Sequence, residues 1–83
     1  MPFQLLVDLE AIETLNALPV SRRREIFTHL RKIQAFPHHY SDATTQDSLG
    51  RILNVSVIGK WRVLYWIDHP DKQIKILEIA EDD

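Results

Sequence analysis

The stretch 59–79, GKWRVLYWIDHPDKQIKILEI, constrains the fold of this chain more than any other. Its first arm alternates strictly. Trp61, Val63, Tyr65 and Ile67 fall on one side and Arg62, Leu64, Trp66 and Asp68 on the other, the period of two that a strand imposes. In the second arm Ile74 and Ile76 are expected on one side, with Leu77 and Ile79 on the other. His69-Pro70-Asp71-Lys72 joins the arms as a turn, because Pro70 presets φ at the second position and Asp71 tolerates the third. The result is an antiparallel hairpin. Neither arm has a wholly polar face, so both sides need cover, by helices on one and by a ligand or partner on the other. The wholly apolar set Val63, Tyr65 and Ile67 is expected beneath the helices. Arg62, Leu64 and Trp66 are expected on the opposite, open face, since burying a charge costs more than burying a hydrocarbon.

The rest of the chain supplies that cover. Phe3, Leu5 and Val7 alternate with polar Gln4 and predict a short first strand, with Leu6 pointing to cover on both faces. Asp8 is placed to cap a helix in which Ala11, Ile12, Leu15 and Leu18 recur at three- and four-residue spacing, and Pro19 closes it. Ser21 is the N-cap candidate for a second helix that buries Ile26, Phe27, Leu30, Ile33 and Phe36 and stops before Pro37. Residues 37–50, PHHYSDATTQDSLG, show no periodicity and are expected to form a surface loop. Residues 52–58 return to strand character, and Gly59-Lys60 supplies the Gly-X pair of a type II′ turn into the central hairpin. The expected architecture is α+β in the order β-α-α-β-β-β: two N-terminal helices on one face of a mainly antiparallel four-stranded sheet, in a single domain over 1–83.

Composition narrows the chemistry. Eighty-three residues suffice for one core that buries about 60% of the unfolded surface, so a bound partner would add appreciably to stability. The absence of cysteine removes disulfides, thiolate metal sites and thiol nucleophiles. A net charge of −2 is a weak electrostatic start for a nucleic-acid binder, although Arg22, Arg23, Arg24, Arg31 and Lys32 lie close together in the sequence. No basic leader or membrane-spanning apolar run is present, so a cytoplasmic location and no membrane partner are expected.

The order of elements, together with five short motifs, resembles the RelE/ParE superfamily of bacterial toxins from type II toxin–antitoxin modules. The motifs are the alanine-containing helix from Ala11 to Leu18, Leu18-Pro19 with Arg24 and Ile26, Leu49-Gly50-Arg51, Gly59-Lys60-Trp61-Arg62-Val63-Leu64-Tyr65, and Ile76-Leu77-Glu78-Ile79. The resemblance implies a toxin that inhibits translation by cleaving ribosome-bound messenger, without metal or cofactor. Basic residues on the open sheet face would bind phosphate and stabilise charge as the 2′-hydroxyl attacks. Arg62 matches the arginine of the family's third strand, and Arg51 and Lys60 flank the same hairpin as further catalytic candidates. It also implies a cognate antitoxin as partner, for which Leu64 and Trp66 are the contact candidates, and the ribosome and messenger as targets. A ParE-like toxin acting on DNA gyrase without cleavage, or a non-toxic binding module, would share the same fold. Ile52 and Asn54 stand where family ribonucleases often carry lysines, Asp82 lies near the place of an expected arginine, and the chain ends without a tyrosine. Weak or absent messenger cleavage is therefore expected.

The remaining polar residues are expected to be unremarkable in role. His38 and His39 with Asp42 lack the spacing of a metal site, because adjacent side chains point apart. His29 and His69 are expected at the surface or at caps. Three consecutive arginines on a helix point in three directions, so Arg22, Arg23 and Arg24 are expected as a solvated helix start.

Overall fold

A computed structural model describes residues 3–81. The elements are β1 (Gln4–Val7), α1 (Leu9–Asn16), α2 (Val20–Ala35), β2 (Ala43–Gln46), β3 (Ile52–Ile58), β4 (Trp61–Asp68) and β5 (Gln73–Glu81). They form one sheet in the order β1-β5-β4-β3-β2, antiparallel except for the β1–β5 pair. The α+β class and the helix pair on one face follow the sequence expectation, but the sheet has five strands and not four.

The extra strand is β2, which lies inside the stretch expected to be a loop. Ala-Thr-Thr-Gln offers no apolar face to alternate, and all four residues are exposed. Backbone pairing to β3 holds it, from Ala43↔Val55 to Gln46↔Ile52. Asp42 starts the pairing: its N–H donates to the Val55 carbonyl at 2.8 Å, and its carboxylate accepts from the Val57 N–H at 2.7 Å.

The helices start and stop by ordinary chemistry. The Asp8 carboxylate caps α1 by accepting from the Leu9 N–H at 3.1 Å. The cap of α2 is Pro19 and not Ser21, and it makes no side-chain hydrogen bond. Pro19 is suited to that place because its ring fixes φ, here −56°, while its carbonyl takes the first helical bond from the Arg23 N–H at 2.9 Å. Ala11, Leu15, Ile26, Leu30 and Ile33 form the buried stripe. Ile12, Phe27 and Phe36, expected in the core, are exposed by 39%, 41% and 64%. Phe27 follows Ile26 directly, so the turn of the helix carries its ring about 100° away from the core stripe.

Against this stripe lie Val63, Tyr65 and Ile67 of β4 and Ile74, Ile76 and Ile79 of β5. Ile79 was expected on the far side from Ile74 and Ile76. A bulge changes the register from Leu64↔Glu78 to Tyr65↔Ile76, leaving Leu77 as the extra residue and turning Ile79 back into the core. At the β3–β4 turn the positive φ falls on Gly59, as a Gly-X turn requires. The β4–β5 turn closes with the Lys72 N–H on the His69 carbonyl at 3.2 Å.

Candidate functional site

The face of the sheet away from the helices carries the residues singled out in the sequence. Arg62 is exposed there, with Val57 on β3 and Ala80 on β5 as its cross-strand neighbours. Leu64 and Trp66 are half-buried beside it. Leu53 is buried without belonging to the helix-backed core, so this face has a small apolar floor of its own.

Trp66 lies between two cations. The Arg51 guanidinium carbon is 4.6 Å from the ring centroid and the Lys75 Nζ is 4.7 Å from it. Lys75 is placed by the direct cross-strand pairing of Trp66↔Lys75 and by an ion pair with Asp68 at 3.3 Å. Burial raises the Asp68 pKa, but hydrogen bonds from the Asp71 N–H and from Lys75 outweigh it and hold the carboxyl below its ordinary value. Arg51 is placed by the loop 47–51. One Asp47 carboxylate oxygen accepts from the N–H groups of Leu49 and Arg51, both at 2.9 Å, and the other accepts from the Arg51 Nε at 2.6 Å. Gly50 makes the turn possible at φ +81°. The hydrogen bond from the Arg51 side chain lowers the pKa of Asp47.

The three cationic candidates do not converge. Arg51 precedes β3 and sits by Trp66, whereas Lys60 lies in the β3–β4 turn at the other end of that strand, beside Arg22, Glu25 and Glu81. Seven residues of strand separate these ends, roughly 20 Å. Arg62 is two residues from Lys60 and four from Trp66. Asn54 faces the helix side, across from Tyr65, and accepts from the Ser41 hydroxyl at 2.7 Å. Ile52 is exposed, and Asp82 lies outside the described residues.

Beside Trp66 an open cleft is lined by Arg51, Thr44, Asn54, His38 and His69. The two histidine rings stack at 5.4 Å between centroids, and the Phe3 ring meets His69 edge-on. Among the described residues no group of three or more His, Cys, Asp or Glu side chains is placed to hold a metal ion. No described helix is long and apolar enough to cross a membrane.

His29 is not at the surface. It is buried under the sheet, where its Nε2 and the Ser56 hydroxyl lie 2.7 Å apart. Burial lowers its pKa first, the charge of Lys32 adds to this, and Asp42 opposes it. Tyr65, fully buried nearby, donates its hydroxyl to the Pro37 carbonyl at 2.6 Å, and burial pushes its pKa up to about 12. These polar ties had a signal in the sequence: Asn54, Ser56 and Tyr65 share the inward parity of otherwise apolar strands.

No protein-family model matches the sequence, and no curated protein matches it. Solved structures do match the fold. The toxin–antitoxin complex RelBE2 from Mycobacterium tuberculosis contains a chain that superposes with a TM-score of 0.84 at 18% identity, over 98% of this chain and 99% of that one. The archaeal RelE–RelB complex from Pyrococcus horikoshii gives 0.78 at 22%, over 98% and 96%. The isolated RelE toxin from E. coli gives 0.76 at 12%, over 98% and 85%. The chain thus has the fold seen in RelE toxin structures.

Proposed function

We propose that this protein is the toxin of a type II toxin–antitoxin module, and that its open sheet face is the working surface. The observation that carries this reading is the half-buried apolar pair Trp66 and Leu64 on the sheet face opposite the helices. Such a surface gains most from a partner, and an antitoxin segment is the partner the fold suggests. Leu64 and Trp66 form its apolar contact, while Arg51 and Lys75 flank the indole.

Messenger cleavage by this protein is weak or absent. Stabilising a phosphodiester transition state takes several cations held around one point, and loss of one such group typically costs about a hundredfold or more in rate. Here Arg62 has Val57 and Ala80 across from it, Asn54 is turned inward, and Arg51 and Lys60 sit at opposite ends of β3. The test is induction of the chain in a bacterial host, with growth followed and primer extension run on messenger, beside an Arg62→Ala control. Growth arrest without in-frame cuts supports the reading and directs the next assay to gyrase. Strong cuts that vanish in the control would show that the cations assemble on the ribosome. Unimpaired growth would leave a non-toxic binding module.

A further inference from the structure

One corner of the core is polar, and the segment 37–46 closes it as a strap. His29 of α2 is buried there against Ser56 of β3, with Nε2 and the hydroxyl 2.7 Å apart. Asn54 and Tyr65 complete the corner, and both are bonded to the strap. Asn54 accepts from the Ser41 hydroxyl at 2.7 Å, and Tyr65 donates to the Pro37 carbonyl at 2.6 Å. Asp42 adds the two bonds to Val55 and Val57 that start β2. The Tyr40 ring meets the His29 ring edge-on, with centroids 5.7 Å apart, and His39 in turn meets Tyr40 at 4.9 Å. Pro37 and Tyr40 are the strap's apolar anchors, whereas all four residues of β2 are exposed and lie on β3 by backbone pairing.

A neutral imidazole suits this corner, because Nε2 and the Ser56 hydroxyl satisfy each other without water. An imidazolium does not. Burial penalises its charge, and Lys32 on the same helix repels it. The charge that favours it is Asp42, whose carboxylate is already engaged by the Val57 N–H. Of the other titratable groups around His29, the strap contributes Tyr40 and His39, and β4 contributes Tyr65, which burial keeps neutral. The corner therefore relaxes by moving whichever wall is held least. Leu30 and Ile33 fix α2 in the apolar core, and Val63 and Ile67 fix β4, but the strap depends mainly on hydrogen bonds near the surface.

We infer that the segment 37–46 is released from the sheet when His29 takes up a proton, while the helices and the other four strands stay together. Release bares His29 to water, so the open form binds a proton that the closed form resists, and acid shifts the balance toward it. His38 and Thr44 line the cleft beside Trp66, so the same movement takes away one wall of that cleft. The inference stands whatever the open sheet face binds.

The test is amide hydrogen exchange of the full chain, followed by NMR at pH 7.5 and 5.5 and corrected for intrinsic rates. One linked proton changes an opening equilibrium by up to about tenfold per pH unit. Protection of the amides in 42–46 is therefore expected to fall at least about tenfold more than protection in β4 and β5. His29→Gln, which keeps a hydrogen-bonding side chain beside Ser56 but takes up no proton, removes the pH dependence. His39→Gln leaves it in place. Lys32→Gln alters an exposed residue outside the strap, preserves helix propensity and removes a repelling charge, so release moves to higher pH. Equal loss of protection in 42–46 and in β4 and β5, or no change between the two pH values, overturns the inference. So does a response that survives His29→Gln, or a release that Lys32→Gln does not move upward in pH.

Discussion

Tyr65→Phe removes one oxygen from the centre of the molecule, and the structure sets what that oxygen is worth. The ring stays, so the apolar burial of a fully buried side chain is kept. What is lost is the 2.6 Å hydrogen bond to the Pro37 carbonyl, both ends of which are out of water. Removing one partner of a buried pair costs about 1–3 kcal/mol, because the orphaned carbonyl regains neither water nor donor. For a domain of this length that corresponds to a fall in Tm on the order of 10 °C. The bond is also the tie between the sheet and the segment leaving α2, so amide exchange from His38 to Asp42 is expected to quicken more than exchange in β4. A second arm uses alkaline pH. The unfolded tyrosine ionises near pH 10, about two units below the folded group, so between about pH 10 and 12 the unfolded state holds fewer protons and the parent loses stability as pH rises. The variant lacks that contribution, and its stability curve flattens relative to the parent's. Urea denaturation across this pH range measures both arms. A cost below about 0.5 kcal/mol at neutral pH, or parallel curves up to pH 12, would refute the assignment of this hydroxyl as a buried structural tie.

Three further outcomes follow from other residues. His29 has a lowered pKa in the folded state, so the unfolded chain takes up its proton first and stability falls as pH drops below about 6.5. His29→Gln should flatten that acid slope in urea titrations between neutral pH and pH 5, and an unaltered slope would assign the effect to other groups. Trp66→Ala should weaken the complex with a cognate antitoxin by roughly 2 kcal/mol or more, as a central aromatic does; calorimetry returning parent affinity would remove the indole from the interface. Gly59→Ala should destabilise by about 1 kcal/mol, because φ at this position is +57° and the added methyl meets no atom within 4 Å, so strain of the backbone is the whole cost. An unchanged denaturation midpoint would mean that the turn relaxes to another type.

What could be read from the sequence was whatever had a period. The alternation from Trp61 to Asp68 placed Arg62, Leu64 and Trp66 on the face away from the helices, and that is where they lie. β2 escaped because Ala-Thr-Thr-Gln has no apolar side to alternate; it is a strand by virtue of hydrogen bonds that β3 supplies. The bulge after Leu64 escaped because Ile76, Leu77, Glu78 and Ile79 are compatible with two parities, and the choice is made by the core's demand for Ile79. Phe27 and Phe36 show the opposite error. Their hydrophobicity argues for burial, but helix geometry turns Phe27 outward and Phe36 lies past the helix end. Arg51 was a flanking charge in the sequence; only the folded loop, with Asp47 holding its guanidinium, puts it over Trp66.

The pairing of the first strand with the last governs the order in which this protein can form. Gln4 lies opposite Gln73, so β1 gains its sheet partner only across a closure of 69 residues. Bringing such distant segments together costs chain entropy before any contact repays it, and pairings of this kind form slowly. Until β4 and β5 are made, α1 and α2 lack the strands they pack on, and Leu15, Ile26, Leu30 and Ile33 face solvent on the growing chain. A nascent chain in that state is prone to association. The open face needs β4 and β5 as well, but they are joined by a short turn and pair locally, so that face can form before β1 closes the sheet.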